Sequence, residues 1–96
     1  MSTEYEQLLY RARVLACETR LHVWECIGPL GMFAGDIART LDLAASTVSH
    51  HLAVLEDAGL VQHEQQGRCR LYRWTRERWG IVSEAELAEN GVAVSR

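Results

Sequence analysis

The clearest pattern of hydrophobic and polar positions in this 96-residue chain lies between residues 45 and 58. Val48, Leu52 and Leu55 recur at helical spacing, with His51 at the edge of the same stripe, which predicts a helix with one face seated on a core. Its outward polar residues are Ser46, Thr47, Ser49 and His50. Short hydroxyls and an imidazole suit base edges in a DNA major groove, so we interpret the stretch as a recognition helix. The pattern alone leaves an ordinary amphipathic helix open.

The same periodicity predicts three helices upstream. They cover about residues 4–14, 19–27 and 34–41. Thr3 and Glu6 form a T-x-x-E capping box at the start of the first helix. In the second helix, Leu21, Trp24 and Ile27 are expected to point inward, with Trp24 a core side chain rather than a ligand platform.

Residues 30–33 are predicted to be a short bridge, and residues 42–44 a turn. Two short helices joined by such a turn, the second one polar at its start, are typical of a helix-turn-helix unit, here residues 34–58. This arrangement favours DNA binding over the ordinary amphipathic helix.

Gly59 is predicted to end the recognition helix in a left-handed conformation. Alternating residues after it predict a β-hairpin, with strands at 60–65 and 68–75 around a Gln66-Gly67 turn. A hairpin placed directly after a recognition helix is a wing, here residues 60–75. Arg68 and Arg70 at its tip can reach a minor groove or flanking phosphates. The alternative is a solvated hairpin edge that charge protects from aggregation.

The residues after the wing are predicted to help pair two chains. We expect the helix at 4–14 and the segment 76–90, with Trp79, Ile81 and Val82, to form a dimer seam. The chain as a whole, residues 1–96, is predicted to be one mainly α-helical domain with a small β-hairpin.

Charge at first argues against a nucleic-acid partner, because the net charge is −3 and phosphate binding needs positive surface. Its distribution changes this conclusion, since residues 62–79 carry five arginines and only two glutamates. The chain contains no lysine, so phosphate contacts would come from arginine, histidine, hydroxyls and helix N-termini.

Several protein classes are not indicated by the sequence. No apolar run approaches the roughly 20 residues of a membrane span, and the acidic, polar start is unlike a signal peptide. We therefore expect a cytoplasmic protein without a membrane partner. There is no Gly-rich phosphate loop, nucleophile elbow or catalytic carboxylate pair, so neither enzymatic activity nor a cofactor is predicted.

The three cysteines, Cys17, Cys26 and Cys69, are odd in number and lack C-x-x-C spacing, which indicates neither a disulfide framework nor a zinc knuckle. On one helix, Cys17 and Cys26 would lie about 13 Å apart, too far to share an ion. No metal site is predicted. A metal(loid) or thiol switch built from these cysteines stays open beside the interpretation of Cys26 as a core residue.

Longer stretches of the sequence resemble the ArsR/SmtB family of winged helix-turn-helix regulators. The matching stretches are Leu15-Ala16-x-x-Thr19-Arg20-Leu21, Asp36-Ile37-Ala38, Ser46-Thr47-Val48-Ser49-His50-His51-Leu52, Ala58-Gly59-Leu60-Val61 and Gly67-Arg68-x-x-x-Tyr72-Arg73. The resemblance implies a homodimeric repressor that occupies a palindromic operator in double-stranded DNA and leaves when an inducer binds.

The departures from the family pattern concern the inducer and the helix starts. Phe33 and Gly35 stand where the family's third-helix thiolates would be, and no histidine follows His63 to build a last-helix metal site. We therefore expect an unknown inducer that is not bound at those positions. Ala44-Ala45 replaces a frequent Ser-Gln pair, which removes an N-cap worth roughly 1 kcal/mol.

Two functional hypotheses result. The first is a homodimeric repressor that reads DNA through Ser46, Thr47, Ser49 and His50 and grips it through Arg68 and Arg70. The second is a winged-helix protein-interaction module that has lost DNA binding, which the net acidity permits.

Overall fold

The computed structural model describes residues 3–75. Its elements, in chain order, are α1 (Glu4–Leu15), α2 (Glu18–Ile27), β1 (Met32–Phe33), α3 (Ala34–Leu41), α4 (Ala45–Asp57), β2 (Val61–Gln66) and β3 (Cys69–Trp74). This mainly α-helical arrangement with a β-hairpin after α4 is the winged helix-turn-helix fold expected from the sequence. The predicted segment 76–90, with Trp79, Ile81 and Val82, lies outside the described residues.

The capping box at the start of α1 forms as predicted. Thr3 Oγ1 accepts a hydrogen bond from the backbone N–H of Glu6 at 3.0 Å, and the Thr3 N–H donates to Glu6 Oε1 at 2.9 Å. Two otherwise unpaired N–H groups are thereby satisfied, which fixes where α1 begins.

The turn between α3 and α4 depends on a left-handed residue that is not glycine. Asp42 has φ 56, and the N–H of Leu43 donates to the Ala38 carbonyl at 2.9 Å, closing the end of α3. Aspartate tolerates this conformation better than most residues. The chain can therefore reverse within three residues and begin α4 at Ala45.

At its other end, α4 stops in a Schellman motif. Gly59 has φ 77, the Gly59 N–H donates to the Glu56 carbonyl at 3.0 Å, and the Leu60 N–H donates to the Leu55 carbonyl at 2.9 Å. The predicted glycine stop is confirmed, and it turns the chain directly into β2.

The sheet has one strand that the sequence did not predict. Its order is β1-β3-β2, and β1 pairs antiparallel with β3 through Met32 opposite Tyr72 and Phe33 opposite Leu71. The predicted bridge at residues 30–33 therefore contains a short strand. Gly31 permits this pairing, because a Cβ there would lie 2.8 Å from the Tyr72 carbonyl oxygen.

The core lies between the helices and the base of the hairpin. Its buried residues are Val14, Val23, Ile27, Ile37, Val48, Leu52, Leu55, Ala58, Leu60, Val61 and Tyr72. In α2, the expected inward residue Ile27 is buried, whereas Leu21 and Trp24 are half-buried at the flank. Val23, one turn before Ile27, takes the central position. Within residues 3–75, no helix has both the length and the apolar character needed to cross a membrane.

Candidate nucleic-acid interface

Helix α4 has a buried face and an exposed face. Val48, Leu52 and Leu55 are at most 1% exposed. Of the predicted base readers, Ser46, Ser49 and His50 are exposed and Thr47 is half-buried. The structure thus brings the four side chains together along the first two turns of α4. Because they are short and are not core residues, they can enter a DNA groove without disturbing the core.

The start of α4 has no side-chain cap, as the sequence indicates. The N-cap is Ala44, and no side chain accepts a hydrogen bond from the first-turn N–H groups there. Such N–H groups point along the helix axis at the positive end of its dipole, where a phosphate oxygen can accept from them.

His51 belongs to the buried face, although it neighbours His50 in the sequence. The side chain is 9% exposed, and within the described chain its Nδ1 has no hydrogen-bond partner. Burial lowers the pKa of His51, with smaller contributions from the Arg20 and His50 side chains. Burial thus favours the neutral form of the His51 imidazole.

The tip of the wing presents the two predicted arginines. All side chains from Gln62 to Arg70 are exposed. Gln66 pairs with Cys69, so the two turn residues are Gly67 and Arg68, one position later than the sequence predicted. Gly67 has φ 65, the sign required at the first central position of a type II′ turn. Arg68 therefore lies in the turn itself.

Arg70 lies in β3, opposite Gln65. Because alternate residues share a sheet face, Arg70 is on the same face as Tyr72 and Trp74, which pack toward the helices. Within residues 3–75, neither Arg68 nor Arg70 forms a salt bridge. The neighbouring Arg73 does, through Nη2 to Glu64 Oε1 at 2.7 Å.

The base of the wing is held by aromatic side chains and by the end of β3. The Trp24 and Trp74 rings stack with centroids 4.5 Å apart, and Trp74 Nε1 donates to the Trp24 carbonyl at 2.8 Å. Thr75 Oγ1 donates to the Gly59 carbonyl at 2.7 Å. These contacts fix the hairpin relative to α2 and to the end of α4.

Three further side chains connect neighbouring elements to the end of α4. His63 Nδ1 in β2 lies 2.8 Å from Glu56 Oε2. On the α1 side, the Tyr10 hydroxyl donates to Asp57 Oδ2 at 3.2 Å, and Arg11 Nε donates to the Ala58 carbonyl at 2.8 Å. The hydrogen bond to Asp57 raises the pKa of Tyr10.

Helix α1 also keeps apolar surface exposed. Tyr5 is 72% exposed, Tyr10 44% and Leu9 39%, while Val14 is the buried residue of this helix. Only part of the apolar surface of α1 is therefore buried within residues 3–75.

The three cysteines differ in position and surroundings. Cys17 is the N-cap of α2, Cys26 lies near the end of α2, and Cys69 is exposed at the start of β3. The Cys26 thiol donates to the Met32 thioether at 3.4 Å, and burial raises the pKa of Cys26. In residues 3–75 no three His, Cys, Asp or Glu side chains gather into a metal-binding group.

Comparison with known proteins decides the family. A family model described as a helix-turn-helix domain matches residues 11–64, more than half of the chain. The crystal structure of an ArsR family transcriptional regulator is 30% identical, with 100% of this chain and 99% of that chain covered and a TM-score of 0.67. The chain belongs to the ArsR family of winged helix-turn-helix transcriptional regulators. The resemblance found in the sequence is confirmed.

Two other relatives define how far this ArsR-family likeness extends. The arsenical resistance operon repressor of Escherichia coli (strain K12) is 36% identical over 62 residues, 64% of this chain and 53% of the relative. The chain thus spans about half the length of that curated relative. The homodimeric winged helix-turn-helix DNA-binding domain of a Mycobacterium bovis protein is 24% identical, with a TM-score of 0.70 over 94% of this chain and 81% of that one.

Sequence reasoning missed the residues that hold α4 in place. Tyr10 and Arg11 contact residues 47 positions later in the chain, and helical periodicity carries no information on such pairs. The position of His63 in a strand was expected, whereas its contact with Glu56 was not. Arg20 gave a signal: a cation in the first turn of a helix needs a tertiary partner, and its Nη1 donates to the Val14 carbonyl at 3.1 Å.

Proposed function

We propose that the chain is a homodimeric transcriptional repressor that binds a palindromic operator in double-stranded DNA. The observation that carries the proposal is the joint exposure of the polar start of α4 and the arginine-bearing wing tip in an ArsR-family winged helix. The start of α4 lies on a helix whose other face is buried, and the wing tip continues strands whose base packs on the core, so neither surface is carried on a loose loop.

In this proposal, Ser46, Thr47, Ser49 and His50 read base edges in the major groove. Hydroxyl groups and an imidazole ring offer hydrogen-bond donors and acceptors, which suits the mixed donor and acceptor pattern that distinguishes base pairs there. The uncapped first turn of α4 at Ala44 would bind an adjacent phosphate and set the register.

Arg68 and Arg70 provide contacts that do not depend on the base sequence. Their side chains are exposed at the wing tip, where a guanidinium can bind phosphates or enter a narrow minor groove. These two cations partly offset the net negative charge of the chain at the surface that is proposed to contact DNA.

Dimerisation is supported by the exposed apolar residues of α1 and by the homodimeric state of the Mycobacterium bovis neighbour. Tyr5 and Leu9 lie one turn apart on the same side of α1, as a helix-helix contact requires. A two-fold axis then presents two copies of α4 to successive major grooves, so the operator is expected to be palindromic.

Release from DNA is proposed to depend on an inducer that does not use the family's third-helix thiolate positions. Phe33 is the N-cap of α3 and Gly35 lies in its first turn, so neither supplies a metal ligand. A titration with As(III), Cd(II) and Zn(II) while DNA binding is monitored tests this part of the proposal. A stoichiometric thiolate-bound metal that displaces DNA with sub-micromolar affinity would contradict it.

The main experiment selects duplexes from a random library with the wild-type protein and measures affinity by fluorescence anisotropy. The double variant Ser49→Ala, His50→Ala should lose about tenfold or more of the preference for the selected duplex over a scrambled one, because each base contact contributes about 1–3 kcal/mol of discrimination. The matched control is His22→Ala, which removes an exposed histidine from α2.

An unchanged preference in the double variant would refute the assigned base readers. A wild-type protein that selects no duplex at any salt concentration would refute the proposed function and favour an interaction module. Steep dependence of affinity on salt supports DNA as the ligand, since phosphate contacts release counterions.

A further inference from the structure

The C-terminal end of α4 carries the wrong charges for a helix end. Its last turn contains Glu56 and Asp57 and no basic residue. A helix C-terminus bears partial negative charge, so carboxylates there are unfavourable and a cation is favourable. The recognition helix therefore depends on other elements to stabilise this end.

Helix α1 supplies what α4 lacks. Arg11 Nε donates to the carbonyl of Ala58, the C-cap of α4, at 2.8 Å, and this contact is partly buried. The guanidinium also lies against Gly59, where a Cβ would be 3.0 Å from Arg11 Nη2. The adjacent Tyr10 hydroxyl donates to Asp57 Oδ2 at 3.2 Å. Two consecutive α1 residues thus contact three consecutive residues at the end of α4.

The same helix carries the exposed apolar residues that the proposed dimer uses. Leu9 is two positions before Arg11, which separates their directions around the helix axis by about 200°. One side of α1 therefore faces the end of α4, and the other is left for a second copy of the chain.

Resting on the proposed function, we infer that Arg11 is a positioning residue that fixes the angle of the recognition helix relative to the dimer axis, and so sets the half-site spacing the dimer accepts. Ser46 and Ala58 are 12 residues apart in α4, about 18 Å along the axis. A tilt of about 10° at the Arg11 end moves the base-reading end by about 3 Å. That displacement is close to the 3.4 Å rise of one base pair.

The test uses the full-length dimer and the duplex that the wild type selects from a random library. Duplexes with the spacer between half-sites shortened or lengthened by one base pair are compared by fluorescence anisotropy at one salt concentration. Variant Arg11→Met keeps an unbranched side chain but removes the donor. The matched control is Arg73→Met, an exposed arginine of β3 whose guanidinium pairs with Glu64.

We expect Arg11→Met to remain a dimer by light scattering and to bind the best spacer about tenfold more weakly, as for a lost hydrogen bond to a charged donor. Its affinity for the duplexes with altered spacers should change by less than about threefold. The variant should therefore discriminate less between spacer lengths than the wild type does. Arg11→Lys, which restores the cation at the helix end, should recover part of the preference. Arg73→Met should keep the wild-type profile.

An unchanged spacing preference in Arg11→Met overturns the inference. An equal loss of affinity for duplexes of every spacer length also overturns the inference, because Arg11 would then have a purely structural role. If Arg11→Met does not fold, Tyr10→Phe decides. It removes one exposed hydroxyl and should flatten the spacing preference by about twofold to threefold, as for a single exposed hydrogen bond. An unchanged profile overturns the inference. A wild type that selects no duplex overturns the proposed function as well, so the two failures are distinguishable.

Discussion

The two ends of the wing are built from the same two strands but are held in different ways. At the base, Val61 is 1% exposed, Trp74 stacks on Trp24, and Thr75 bonds to the Gly59 carbonyl. At the tip, every side chain from residue 65 to 70 is exposed. The base of the hairpin thus stabilises the fold, whereas the tip is exposed for the proposed DNA contacts. Substitutions at the base should change the free energy of unfolding, and substitutions at the tip should change binding.

The largest expected effect is at the base. Trp74→Ala should lower the free energy of unfolding by about 3 kcal/mol, because it removes the stack on Trp24 and a large apolar area at the edge of the core. Urea denaturation measures the change. Trp74→Phe, which keeps a ring but not the Nε1 donor, should cost about 1 kcal/mol. If Trp74→Ala lowered the free energy of unfolding by less than about 1 kcal/mol, the contacts at the base would not be what holds the wing in place.

The corresponding change at the tip should leave stability almost untouched. Arg68→Ala should alter the free energy of unfolding by less than about 0.5 kcal/mol. It should weaken binding to all duplexes by about tenfold and reduce the slope of log affinity against log salt by about 1. Anisotropy titrations at several salt concentrations measure both quantities.

Arg73→Ala is the matched control for the tip, since Arg73 is also exposed in the wing but pairs with Glu64 on the other sheet face. Its salt slope should stay close to that of the wild type. Equal slopes for Arg68→Ala and the wild type would remove the arginine tip from the proposed interface.

Much of this contrast could be predicted from the sequence. The spacing of Val48, Leu52 and Leu55 identified the buried face of α4, and Gly59 identified its end, because periodicity and positive φ are local properties. The wing was predicted from strand alternation. Its turn was placed one residue early, since Gly67 can occupy either central position of a two-residue turn.

The parts that were missed depend on contacts distant in sequence. Met32–Phe33 is too short to show alternation, and it is a strand only because β3 pairs with it. The hydrogen bond from Arg11 to the Ala58 carbonyl likewise joins residues whose proximity no local pattern encodes. Such contacts are fixed by packing of the complete fold.

A smaller effect is expected from a single hydrogen bond at the base. Thr75→Val keeps the side-chain shape and removes the hydroxyl that donates to the Gly59 carbonyl, which should cost about 1 kcal/mol in the free energy of unfolding. Thr75→Ser retains the donor and should cost less. The ranking of the two variants in urea denaturation is the measurement, and a reversed ranking would show that the methyl group, not the hydrogen bond, anchors the end of β3.

The smallest expected effect is one of pH, and it separates the two faces of α4. His51 on the buried face has a pKa lowered from 6.5 mainly by burial, so the unfolded chain binds more protons than the folded chain as the pH falls below 6.5. His51 therefore leaves stability intact above about pH 6.5 and lowers it as the pH drops toward the depressed folded pKa. Urea denaturation at about pH 7.5 and about pH 5.5 should show a smaller decrease for His51→Leu than for the wild type. His50→Ala on the exposed face should reproduce most of the wild-type decrease, because the proton-dependent penalty arises from the buried imidazole. If His50→Ala abolished the decrease and His51→Leu kept it, the titrating group would be on the surface that is proposed to contact DNA.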